Sequence, residues 1–118
     1  MGYSQPQTRT AVVALPAEID VTNARETGDH LLAALVPGVT AVIADMTPTT
    51  VCGSSGASML AHVRREAIVN LAELILVVPS AAVLRTLAVT GMDTLLPIYP
   101  TLAEALSAES LPGAGATR

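Results

Sequence analysis

The chain has 118 residues, one domain's worth, with no length for two independent cores. Apolar residues make up 51% and charged residues 14%, which excludes intrinsic disorder. The net charge of −4, the absence of Lys, Phe and Trp, and only two tyrosines exclude a phosphate-backbone footprint and a base-stacking platform, so no nucleic acid is expected as a partner.

Residues 1–10 are polar, with Pro6 among Gln and Ser, and read as an N-terminal arm or a short edge strand. The opening residues carry neither a basic leader nor an apolar stretch, and no apolar run approaches 18 residues; a cytosolic chain without membrane contact is expected. Ala11 to Leu15 is a short apolar run ended by Pro16, a strand. Ala17-Glu18-Ile19-Asp20 then turns into a helix with Thr22 as its expected N-cap. Ala24, Leu31, Leu32 and Leu35 keep the helical period, and Arg25, Glu26 and Asp29 face water. Gly28 within that helix costs about 0.8–1 kcal/mol relative to Ala, the mark of a close backbone contact. Pro37-Gly38 stops the helix.

Val39 to Met46 is apolar on both parities apart from Thr40 and Asp45, as in a strand covered on both faces. A loop follows, and Val51-Cys52 leads into Gly53-Ser54-Ser55-Gly56. The second helix carries Met59, Leu60, Val63, Ala67, Ile68 and Leu71. Leu74 to Val78 is another buried strand, and Pro79-Ser80 opens a third helix that ends at Gly91. A last strand is expected over Thr94 to Ile98. Thr101-Leu102-Ala103-Glu104 forms a capping box for a final helix over residues 102–109, and nothing in residues 110–118 favours order. Strands and helices alternate without a repeat or linker. Residues 11–109 therefore form an α/β domain: a single-layer, mostly parallel or mixed sheet of about four strands with flanking helices. Function is expected in the loops after the carboxyl ends of the strands.

One constellation there has chemical potential. Gly53-Ser54-Ser55-Gly56 sits between a strand-like segment and a helix whose unpaired N–H groups favour negative charge, so it can take a phosphate or a phosphoserine. The plainer alternative is that Ser54 or Ser55 is an N-cap and the glycines make the turn. A nucleophile elbow fails because Ala57 stands in the last glycine position and no histidine follows His62. A P-loop fails for want of lysine. Asp20 and Asp45 are better explained as turn carboxylates than as magnesium ligands, His30 and His62 as solitary helix residues, and Cys52 as a small buried hydrophobe. No catalytic residue, metal or cofactor is assigned.

Taken in register, these segments resemble a STAS domain, in particular the stand-alone anti-sigma factor antagonists of bacteria, from about Val12 to Leu106. Ala17-Glu18-Ile19-Asp20 stands where the family has Gly-Glu-Leu/Ile-Asp, and Ala44-Asp45-Met46-Thr47 is similar to the strand ending in Asp-Leu-Ser. Gly53-Ser54-Ser55-Gly56 stands where the family has Asp-Ser-Ser/Thr-Gly, the loop with the regulatory phosphoserine. Leu87 to Asp93 resembles the helix end before the last strand, and Tyr99 to Leu106 the terminal capped helix.

The resemblance implies a non-enzymatic switch. The unphosphorylated antagonist binds an anti-sigma factor that is also a serine kinase; phosphorylation of the first loop serine, here Ser54 rather than Ser55, releases it, and a PP2C-type phosphatase resets it. The implied contact surface is Asp20, Gly53, Ser54, Ser55 and Gly56, with Met59, Leu60 and Val63 either contacts or core. The sequence departs from the family pattern at Gly53, which replaces an aspartate, and in the turn before Leu74, which lacks a glycine. The alternative is a binding or sensor module, holding a nucleotide or anion or serving as a scaffold, that is not phosphorylated because Gly53 removes the carboxylate.

Overall fold

The computed structural model describes residues 9–110; residues 111–118 of the expected tail and residues 1–8 of the N-terminal arm lie outside them. Ser110, expected to open the tail, still belongs to the last helix. Thr10 already belongs to the domain, because it opens the first strand, and the Arg9 carbonyl accepts from the amides of Thr40 and Ala41. In chain order the strands are β1 (Thr10–Ala14), β2 (Glu18–Ile19), β3 (Ala41–Asp45), β4 (Val51–Cys52), β5 (Glu73–Val77) and β6 (Ile98–Tyr99). The helices are α1 (Ala24–Ala33), α2 (Ser54–Val69), α3 (Ala81–Thr90) and α4 (Leu102–Ser110). Four strands make one sheet in the order β1-β3-β5-β6, and β2 and β4 make a separate ribbon. Every pairing among the described residues is parallel. Parallel neighbours cannot be joined by a tight turn, and a helix indeed lies between the partners of each pair.

The two-sided burial expected of the second long apolar run holds: Ala41 to Ala44 are fully buried at the centre of the sheet. One face packs Val42, Ala44, Leu74 and Leu76 against Leu31 of α1, Leu60 and Val63 of α2, and Val83 and Leu87 of α3. The other packs Ala41, Ile43, Ile75 and Val77 under α4, through Ala105 and Leu102. Met59, Leu60 and Val63, 7, 0 and 0% exposed, are core, the second of the two roles the sequence left open. Gly28 marks the close contact expected of it: a Cβ there would lie 2.8 Å from Met59 Cγ, so α1 and α2 touch through a position with no side chain.

Three local expectations need correction. Ala17 to Asp20 does not lead straight into a helix; Glu18 and Ile19 pair with Val51 and Cys52, a long-range bridge too short to leave a periodic signal. The N-cap of α1 is Asn23, not Thr22, because the amide and hydroxyl of Thr22 both donate to Asp20 Oδ1, at 2.9 and 2.6 Å. The last strand begins at Ile98 because Met92–Thr94 forms a 3-10 turn after Gly91, which ends α3 at φ 82°. Of the expected capping box the N-cap half forms, with the Glu104 amide donating to Thr101 Oγ1 at 3.1 Å, and Ser80 Oγ accepts from the Val83 amide to open α3.

At the other end of α2 the chain turns through Leu71, at φ 58° and 88% exposed, while the Ala72 amide donates back to the Ala67 carbonyl. This is the left-handed position that helix ends usually give to Gly, and a side chain there costs about 1–2 kcal/mol. Unfolded-state entropy takes back part of that gain on substitution. Leu71→Gly is therefore expected to raise stability by about 0.5–1 kcal/mol in urea unfolding; unchanged or lower stability would show that Leu71 is held by contacts rather than strained.

Candidate functional site

The site is built on an extension of the sheet beyond its carboxyl edge. The β1–β3 ladder ends with the Leu15 amide donating to the Asp45 carbonyl, and Pro16 and Pro48 then interrupt it. The two chains meet again as β2 and β4, with the Thr50 amide on the Ala17 carbonyl and the Gly53 amide on the Ile19 carbonyl. Between them the fully buried Thr49 donates its hydroxyl to the Pro16 carbonyl at 2.8 Å, so the break leaves no buried polar group unpaired. The ribbon thereby sets Asp20 and Gly53 side by side at the end where α2 begins.

The cap of α2 is Gly53 in extended conformation, and its carbonyl accepts from the amides of Gly56 and Ala57 at 3.0 and 3.2 Å. Neither Ser54 nor Ser55 is an N-cap, contrary to the plainer expectation; both lie inside the first helical turn with hydroxyls unused by the backbone. Ser54 is exposed and Ser55 half-buried. Gly56 is buried against the ribbon: a Cβ there would lie 2.6 Å from Cys52 Sγ and 3.0 Å from Ile19 Cγ2. Burial pushes the Cys52 thiol up, so it stays protonated and packs as a small apolar group. At Gly53, by contrast, a Cβ meets nothing within 4 Å.

Asp20 is exposed, and the Thr22 hydroxyl, followed by the Thr22 amide, holds its carboxyl below the usual carboxylate range. The Asp45 carboxylate is likewise taken up by its own turn, with the Thr47 amide donating at 3.0 Å. His30 and His62 are exposed on separate helices, and among the described residues no three His, Cys, Asp or Glu side chains gather as a metal site. Facing Gly53 and Ser54 is α3, and the two walls enclose an open groove of about 360 Å³ whose far side presents Arg85, Thr86, Val89 and Thr90. The sequence reading missed this wall by treating α3 only for its apolar period. Its signal was Arg85, the sole charged residue of that helix.

A family model, the STAS domain, matches residues 4–105. The chain belongs to the STAS family. Its fold is similar to an anti-sigma factor antagonist from Mycobacterium paratuberculosis, 27% identical, with a TM-score of 0.71 and 85% of each chain covered. A STAS-domain antagonist from Planctomyces limnophilus, 24% identical, gives a TM-score of 0.76 over 89% of this chain and 93% of the other. The unphosphorylated form of the anti-sigma factor antagonist SpoIIAA, 22% identical, gives 0.70 over 88% and 90%. These two likenesses are of fold. No curated protein matches by sequence. The chain is thus a STAS domain resembling stand-alone antagonists, and no helix among its described residues is long and apolar enough to cross a membrane.

Two outcomes test how this STAS site is held. Gly56→Ala is expected to destabilise by about 1–2 kcal/mol, since overpacking outweighs the gain in helix propensity. Adding Cys52→Ala should recover much of that loss in a double-mutant cycle, and strict additivity would show that the two sites do not touch. Because the folded pKa of Asp20 is lowered, its contribution to stability is present above the unfolded carboxylate pKa and fades as pH falls through the folded one. Thr22→Val should therefore raise the Asp20 titration midpoint in a carboxyl NMR titration.

Proposed function

We propose that this STAS domain is an anti-sigma factor antagonist that works by partner switching, with Ser54 as its phosphorylation site. With a free hydroxyl at Ser54 it binds an anti-sigma serine kinase. The kinase then moves the γ-phosphoryl group of ATP to Ser54 Oγ, ADP leaves, the hydroxyl proton is lost, and the complex separates. A PP2C-type phosphatase would hydrolyse the ester and restore the binding form.

The observation that carries this reading is the state of Ser54. The residue is exposed at the start of α2, its hydroxyl bears no backbone bond, and it directly follows Gly53, whose amide bonds the Ile19 carbonyl on a family scaffold. Ser55, half-buried, is the poorer acceptor. A phosphoserine carries a charge of about −1.5 to −2 at neutral pH, and desolvating it at a packed interface weakens binding about tenfold per 1.4 kcal/mol. Since Met59, Leu60 and Val63 are core, the proposed contact surface is Asp20, Gly53 and Ser54 with the exposed Ser58 and His62 of α2. Gly53 does not argue against phosphorylation on steric grounds, because its backbone suits any residue and its Cβ position is open. The missing carboxylate leaves positioning of the hydroxyl to the kinase.

Incubation with candidate anti-sigma kinases, ATP and magnesium should add one phosphate by intact mass to the wild type and none to Ser54→Ala. Ser54→Glu should lose the kinase on a sizing column while Ser54→Ala retains it. Equal binding by both variants would sink the switch. A stable complex that never gains phosphate would mean a constitutive antagonist.

A further inference from the structure

The groove between the start of α2 and α3 has an uneven distribution of charge. Arg85 is the only charged side chain lining it, and no carboxylate lines it, although the chain as a whole carries −4. Arg85 is exposed and makes no hydrogen bond or ion pair among the described residues. The opposite wall is Gly53 and Ser54, so Arg85 and Ser54 line the same open space of about 360 Å³. That space accommodates a phosphoryl group with its water. The other titratable groups on the surrounding elements stay out of the lining. Asp20 is tied to Thr22 by two hydrogen bonds, and Glu18 and His62 do not border the groove. Gly53 contributes no side chain to the wall, which keeps a carboxylate away from a dianion at Ser54.

We propose that the phosphoryl group of Ser54 lies in this groove and is held in cis by the guanidinium of Arg85. The inference rests on the modification of Ser54 proposed above. It adds that the phosphorylated chain satisfies its own new charge, so the groove is filled from within while the partner is away. A guanidinium suits this role because its planar donor fork matches phosphate oxygens.

The test places phosphoserine at position 54 during translation, so it does not depend on finding the kinase. Phosphorus NMR then gives the second phosphate pKa, which is about 6 for an isolated phosphoserine. A cation in contact favours the dianion. The wild-type phosphoprotein should titrate at least about half a unit below the Arg85→Gln phosphoprotein, with Arg85→Lys between them. In the wild-type phosphoprotein the Arg85 Nε–H resonance should shift with the same midpoint, a readout that needs no variant. Equal phosphate midpoints in wild type and Arg85→Gln, or an Arg85 resonance that ignores the phosphate, would overturn the proposal. If no kinase modifies Ser54 yet these shifts appear, the switch fails and the groove chemistry stands; modification without the shifts separates the two the other way.

Discussion

The first turn of α2 comes so close to the β2–β4 ribbon that Gly56 has no space for a methyl group beside Cys52 and Ile19. That approach fixes where the helix begins. A larger residue at position 56 would push the turn away from the ribbon, and with it the two serines that precede it. The fully buried Ile19 and the short thiol of Cys52 make a floor low enough for the helix to settle on. Thr49 holds the two chains of the ribbon at the correct spacing where prolines have broken the ladder. The position of the exposed Ser54 is therefore a packing result, transmitted through Gly53 from buried groups of the ribbon.

The sheet beneath is an aliphatic structure with unequal faces. Among the described residues three helices cover one side and α4 alone the other, and Val12, level with Ile43 on the α4 side, is 43% exposed at the edge. With no Phe or Trp, the core is filled by Leu, Ile, Val, Met and Ala, and close approach of backbones replaces bulk. Gly28 and Gly56 are the two places where that economy is most visible, one between helices and one between helix and ribbon. Both pin α2, the helix that carries the site.

Much of this was legible in the sequence, for identifiable reasons. The central strand announced itself by apolar residues on both parities, and α3 and α4 by Ser80, Gly91 and Thr101, whose side chains or backbone freedom act within a few residues. Gly28 was legible because a glycine inside a helix is costly without a contact. The ribbon was not, since two-residue strands have no period and their pairing spans more than thirty residues. Thr22 was misread as a cap because Asp20 competes for it, and Met59, Leu60 and Val63 could not be divided between core and surface without knowing where α1 packs. Arg85 escaped notice because its importance lies in what stands across the groove, not along its own helix.

The interleaving of the ribbon with the main sheet has a consequence for how the chain acquires its site. No paired strands can zip up as a hairpin; each pairing waits for a helix to be made and closes a long loop, which places folding among the slower topologies. During synthesis, the elements from β1 through the first turn of α2 emerge together and hold everything that positions Ser54. The wall bearing Arg85 follows some thirty residues later, beyond β5. The hydroxyl and the cation across from it thus belong to successive stages of assembly. A nascent chain halted between them would present Ser54 on one wall of a groove that does not yet exist.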